Sequence, residues 1–236
     1  MATFFSLLFF VAASSVEASL LVIDKDGTVT WKVLAEESNS IEIPKSSGLS
    51  VREVVNTKPS EDAQVILKKD GEKISLVVLG ESGNKELDVS GWKDDLVEIE
   101  ERPEIQTVKI GIDDGKFSLE QKGIVALTDF PINIDAKTAK ISVLTESGDR
   151  FVSILPYQAT EGVLRSRLVT NLSGDKIYLI EQERELAYAI DAVKEINFFN
   201  IYKYPFPIKT YVSASTGEII SVDQPAWLRV LGFLFS

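Results

Sequence analysis

Residue types able to do chemistry are few in this chain. Histidine and cysteine are both absent, which excludes Ser-His-Asp and Cys-His nucleophilic machinery, the usual zinc sites, haem and iron–sulfur ligation, and structural disulfides. Carboxylate, Ser–Lys and calcium chemistry remain. Carboxylates crowd at Asp94-Asp95, at Glu98, Glu100 and Glu101, and at Glu181, Glu183 and Glu185. Alternating Glu on a strand puts like charges on one face, which suits a solvated surface better than an acid/base pair held at a defined separation. Lys194 and the serines lack the spacing of a Ser–Lys hydrolase. Asp24-Lys25-Asp26-Gly27-Thr28 opens like an EF-hand loop, yet Val29 and Ala35 stand where that loop needs Gly and Glu, and Asp113-Asp114 likewise reads as a hairpin turn. No catalytic residue, no metal ligand and no cofactor is therefore expected, and the chain reads as non-enzymatic.

Binding is the more promising chemistry. Phe198, Phe199, Tyr202, Tyr204 and Phe206 fall within one short run, where Pro205 and Pro207 stiffen the backbone. These rings either form a recognition patch or pack on a helix near Tyr157. The apolar tail from Pro225 poses a similar choice, docking on a sheet or lying at a membrane surface through Trp227, Phe233 and Phe235. With 25 Lys and Arg against 36 Asp and Glu, the formal charge is −11 and no basic cluster is visible, so no nucleic-acid partner is expected.

The elements that position these groups are mostly strands. At 236 residues and 44% hydrophobic content the chain can bury one good core or two modest ones. Period-two alternation broken by turn dipeptides predicts hairpins around Asp26-Gly27, Asp70-Gly71, Asp114-Gly115 and Ser147-Gly148. One helix is predicted from Pro156, where a missing N–H costs nothing, with Tyr157, Leu164, Leu168 and Leu172 on one face and a stop at Ser173-Gly174. Four strand-like runs follow it. The fold class is mainly β (α+β), a hairpin-rich N-terminal region followed by a small helix-plus-sheet domain. The expected organisation is a signal peptide or N-terminal anchor over 1–18, a β-rich region over 19–155, and an α+β domain over 156–236, with Glu100 to Glu104 as a second candidate boundary.

The leader rests on an apolar run from Phe4 to Ala13, the length of a secretory core, with Val16 and Ala18 placed for cleavage before Ser19. The n-region carries no Lys or Arg, so an uncleaved anchor stays open, at the cost of Glu17 within the apolar span.

The stretch from Ile208 to Trp227, with Thr216, Gly217 and Glu218 at its turn, resembles the closing hairpin of a PepSY-type domain, and the preceding helix and strands come in that family's order. Ser213 departs from the Asp common at its place. The resemblance covers the last third of the chain and implies an extracytoplasmic module that binds or restrains peptides or proteases; it carries over no catalytic residue. A weak echo of this hairpin lies at Asp135 to Val143, where Ala139 stands in the place of Gly217; two ordinary hairpins sharing turn chemistry account for it better than a repeat does. The reading is an exported cell-envelope protein that binds peptides or proteins through its C-terminal domain. A structural surface or adhesion protein and a carboxylate-dependent hydrolase are the alternatives.

Overall fold

A computed structural model describes residues 19–32, 63–80, 83–102, 106–198 and 202–225. The expected leader, Pro103 of the second candidate boundary and the apolar tail beyond Pro225 lie outside these residues.

Along the chain, β1 (Leu21–Ile23) and β2 (Val29–Trp31) form a hairpin, and β3 (Gln64–Asp70), β4 (Lys73–Gly80) and β5 (Gly83–Asp88) a meander. A second meander follows in β6 (Val97–Ile99), β7 (Val108–Asp113), β8 (Lys116–Gln121) and β9 (Ile124–Thr128). A third comprises β10 (Ile132–Asp135), β11 (Lys140–Thr145) and β12 (Gly148–Phe151). After the helix α1 (Pro156–Arg165) come β13 (Asn171–Leu172), β14 (Lys176–Gln182), β15 (Glu185–Phe198), β16 (Tyr202–Ser213) and β17 (Ile219–Asp223).

These strands make two sheets. The larger runs β17-β16-β15-β14-β9-β8-β7-β6-β1-β2 with β13 beside β15, and the smaller runs β12-β11-β10-β3-β4-β5. Two junctions of the larger sheet are parallel, β1 with β6 and β9 with β14. The second joins strands on either side of Leu155, so the larger sheet passes through the boundary expected there without a break.

Alternation decides which face is buried. Val65 and Leu67, Ile132 and Ile134, and Ile141 and Val143 line one face of the smaller sheet. Val97 and Ile99, Val108 and Ile110, Phe117 and Leu119, Ile177 and Leu179, and Tyr188 and Ile190 line one face of the larger. All belong to a single hydrophobic cluster. Phe117 is 1% exposed, and truncating such a ring to Ala costs about 3–5 kcal/mol.

The four hairpins predicted from turn dipeptides are present as β1–β2, β3–β4, β7–β8 and β11–β12. The hairpin β14–β15 turns on Glu183 and Arg184, two non-glycine residues at φ of +53° and +68°. Glu181, Glu183 and Glu185 therefore lie on a strand, a turn and the next strand, and do not alternate along one strand as the sequence suggests.

The helix begins at Pro156 as predicted, and the Leu155 N–H donates to Gln158 Oε1 at 2.9 Å, satisfying one end of the first turn. Its buried face is not the predicted one. Pro156, Ala159, Thr160 and Val163 are buried, whereas Leu164 and Leu168 are 38% and 37% exposed. The helix stops at Arg165, Arg167 takes φ +59° and Leu172 belongs to β13, so the leucine spacing runs past the helical segment and marks no common face. The helix packs against β8, β9, β13, β15 and β16. The inner face of the larger sheet is thus covered by the smaller sheet along one part and by α1 along the next.

Candidate functional site

At that seam the chain builds a cleft whose mouth is set by three distant segments. Asp24, at the end of β1, turns the chain by accepting the N–H groups of Asp26 and Thr28 on Oδ1, both at 2.8 Å. Gly27, at φ +86°, lies so close to the β10–β11 loop that an added Cβ would stand 2.8 Å from Lys137 Cα. Arg102 locks this approach. Its Nη1 donates to Lys137 O at 2.9 Å, and its Nη2 to Asp24 O at 2.7 Å and Ala136 O at 2.9 Å. One planar guanidinium with several fixed donors can thus tie together backbone from both sheets.

The resulting outer cleft has a volume of about 760 Å³. Lys25, Arg102, Lys137 and Lys140 supply four cations, and none of the ten described lining residues is acidic. Lys25 and Lys140 are exposed, and among the described residues no carboxylate lies within ion-pairing distance of either. Ile141, Val152 and Phe151 form the apolar wall, and Phe151 is 57% exposed. On a chain of charge −11 this is a local inversion of sign, and cations gathered beside a low-dielectric wall concentrate field on an anion.

A neighbouring chamber of about 410 Å³, bordered by exposed Gln106, Lys122 and Gln158, shares Arg102, Ala139, Ile141, Val152 and Ser153 with the cleft. Gln106, Gln121 and Gln158 contribute three carboxamides to it, and Tyr157 a ring over which Lys122 Nζ sits at 4.8 Å from the centroid. Gln121 continues the inward-facing series Phe117, Leu119, Gln121 along β8; it is 1% exposed and its Oε1 has no partner among the described residues. Glu101 and Glu161 also border the chamber, with Glu161 engaged by Arg165 Nη2 at 2.7 Å and Tyr157 Oη at 3.4 Å.

Two like loops hold the β12–α1 connection against this space. In the β10–β11 loop Asp135 Oδ1 accepts the Thr138 N–H at 2.8 Å and Ala139 takes φ +53°. In the β16–β17 loop Ser213 Oγ accepts the Thr216 N–H at 3.2 Å and Gly217 takes φ +78°. Both hairpins use one turn chemistry, with Ala136 and Ala214 fully buried at matching places. Ala214 O accepts the N–H groups of Ser153 and Ile154 at 3.0 and 2.9 Å, while Val152 N–H donates to Ile141 O at 2.9 Å. Tyr188 Oη donates to Ile154 O at 2.8 Å, and burial pushes its phenol pKa up.

The residues singled out in the sequence lie elsewhere. Thr216, Gly217 and Glu218 form the β16–β17 turn, with the Glu218 N–H on Thr216 Oγ1 at 3.2 Å. Phe199 falls outside the described residues; Phe198 and Tyr202 pair through their backbones at the end of the β15–β16 hairpin, and their side chains are not among those described. Tyr204 is 44% exposed, with its ring 4.6 Å from that of Phe206, which is partly buried against the core. β16 pairs with β15 along its whole length, so Pro205 and Pro207, which lack an N–H, fit only with their nitrogens turned to the outer edge. That edge is blunted against strand addition. Sequence reading missed the cleft because its cations come from four separate positions across three segments; the run Phe117, Leu119, Gln121 is the one signal that marked the chamber. Comparison with protein-family models, with characterised proteins and with solved structures found no match.

Proposed function

We propose that this chain is a non-catalytic binding protein of the cell envelope that holds an anionic segment of a partner protein in the cleft between its two sheets. The observation that carries the reading is the cleft's lining, four cations beside the apolar Ile141, Phe151 and Val152 with no carboxylate among the described lining residues, on an otherwise acidic chain. Lys25 and Lys140, which have no carboxylate partner among the described residues, attract an anion without first breaking a pair there, and exposed Phe151 offers apolar surface beside them. The cell-envelope setting rests on the apolar run from Phe4 to Ala13, and the PepSY-type resemblance of the last third supports a peptide or protein partner.

The test is fluorescence anisotropy with a labelled dodecapeptide of alternating Glu and Ala. The unmodified protein should bind it with an affinity that falls as salt rises. Reversing both exposed cations, Lys25→Glu with Lys140→Glu, should abolish binding while leaving the melt unchanged. Equal binding by the double variant would overturn the proposal. Mass spectrometry of the recovered probe should return it intact, and cleavage would overturn its non-catalytic half.

A further inference from the structure

The neighbouring chamber offers a different chemistry from the cleft whose wall it shares. Its lining carries three carboxamides, Gln106, Gln121 and Gln158, beside Glu101, Arg102, Lys122 and Glu161, and a carboxamide presents a donor and an acceptor side by side. Gln158 has already committed Oε1 to the Leu155 N–H, which leaves its NH₂ group to the chamber. Gln121 is more telling. It occupies an inward-facing place in line with Phe117 and Leu119, is 1% exposed, and has an oxygen without a partner among the described residues. A buried polar atom left unpaired carries a desolvation penalty that its hydrogen bond would offset, so a group of this kind is expected to be retained for a partner. Glu101 and Glu161 offset Arg102 and Lys122 in this lining, so a bound anion is better matched by the cations of the cleft, and the complement of a neutral carboxamide is another amide.

Resting on the binding reading above, the geometry points to a two-part site specific for a peptide: the outer cleft takes acidic side chains, and the chamber takes main-chain amide groups through Gln121. The shared wall of Arg102, Ile141, Val152 and Ser153 joins the two compartments, so one extended segment meets both. An anion lacking amides, such as polyphosphate, would satisfy only the outer part.

Three probes separate the parts: the Glu/Ala dodecapeptide, the same peptide N-methylated throughout, and polyphosphate of matched charge. On the unmodified protein the N-methylated peptide and polyphosphate should bind about tenfold or more weakly than the dodecapeptide, the loss expected when a buried hydrogen bond is forfeited. Gln121→Met, close in volume, should weaken the dodecapeptide by a similar factor and leave the other two unchanged. If Gln121→Met is too unstable to assay, the comparison of probes on the unmodified protein decides alone. Equal affinity for all three probes would overturn the amide-reading chamber while leaving the cleft intact, provided Lys25→Glu with Lys140→Glu still abolishes binding. Tighter binding of polyphosphate would also overturn it, assigning the site to a polyanion. Loss of sensitivity to the lysine reversals would bring down both readings.

Discussion

Replacing Gly27 with Ala tests the close approach that forms the mouth of the cleft. The added Cβ would stand 2.8 Å from Lys137 Cα and 3.0 Å from Ala136 O, both backbone atoms that no rotamer change can move aside. Holding a residue with a Cβ at φ +86° costs about 1–2 kcal/mol, and shifting the two backbones apart costs about 1–3 kcal/mol more. The expected loss is therefore about 2–5 kcal/mol, a fall in Tm of about 4–20 °C for a chain of this length. Gly217→Ala is the matched control. Its φ is +78°, yet the nearest atom to its Cβ is Ile154 Cγ1 at 3.4 Å, an ordinary contact, so it should lose only the conformational part, about 1–2 kcal/mol. Urea and thermal melts of the two variants beside the unmodified protein give the difference. Gly27→Ala should also weaken binding of the acidic dodecapeptide, because spreading the β1–β2 turn from the β10–β11 loop separates Lys25 from Lys137 and Lys140. Equal stability losses in the two variants would refute the close packing of turn and loop.

Other expectations follow from the same geometry. Arg184→Gly should stabilise the protein by about 0.5–1 kcal/mol, since relief of a left-handed φ outweighs the added freedom of the unfolded chain; a lower melting temperature would contradict it. Tyr188→Phe should cost about 1–2 kcal/mol by leaving Ile154 O unpaired. Because burial raises the Tyr188 phenol pKa, its neutral form stabilises the fold below the unfolded value of about 10 and that contribution is lost as pH rises above it; Tyr188→Phe should flatten the alkaline limb of the stability profile. Phe206→Ser should destabilise by about 1–3 kcal/mol while Tyr204→Ser changes stability little, and neither should reduce dodecapeptide binding; selective loss of binding with Tyr204→Ser would move the site to the aromatic run.

Local signals in the sequence were informative wherever one short segment decides the outcome. Asp-Gly and Ser-Gly dipeptides place four hairpins because positive φ at a turn is a property of a few adjacent residues. Pro156 likewise marks the start of the helix. The helical face was not legible, since Leu164, Leu168 and Leu172 suggest a periodicity that Arg167 interrupts and the core selects the smaller Ala159, Thr160 and Val163. Nor was the cleft. Lys25, Arg102 and Lys140 meet only because the chain passes repeatedly between two sheets, and the pairing of β9 with β14 across Leu155 is a non-local event without a local mark. Gln121 is a polar residue whose burial is set by the register of β8, so its chemistry stays hidden until the partner strands are known.

The most direct test of the account is photo-cross-linking of the acidic dodecapeptide, carrying a benzophenone side chain, followed by mass-spectrometric mapping of the adducts. Adducts are expected on the segments bearing Lys25, Lys137 to Ile141 and Phe151 to Ser153, competed away by unlabelled peptide and absent from the Lys25→Glu, Lys140→Glu variant. Adducts concentrated on Tyr204 and Phe206, or an unchanged pattern in that variant, would contradict it.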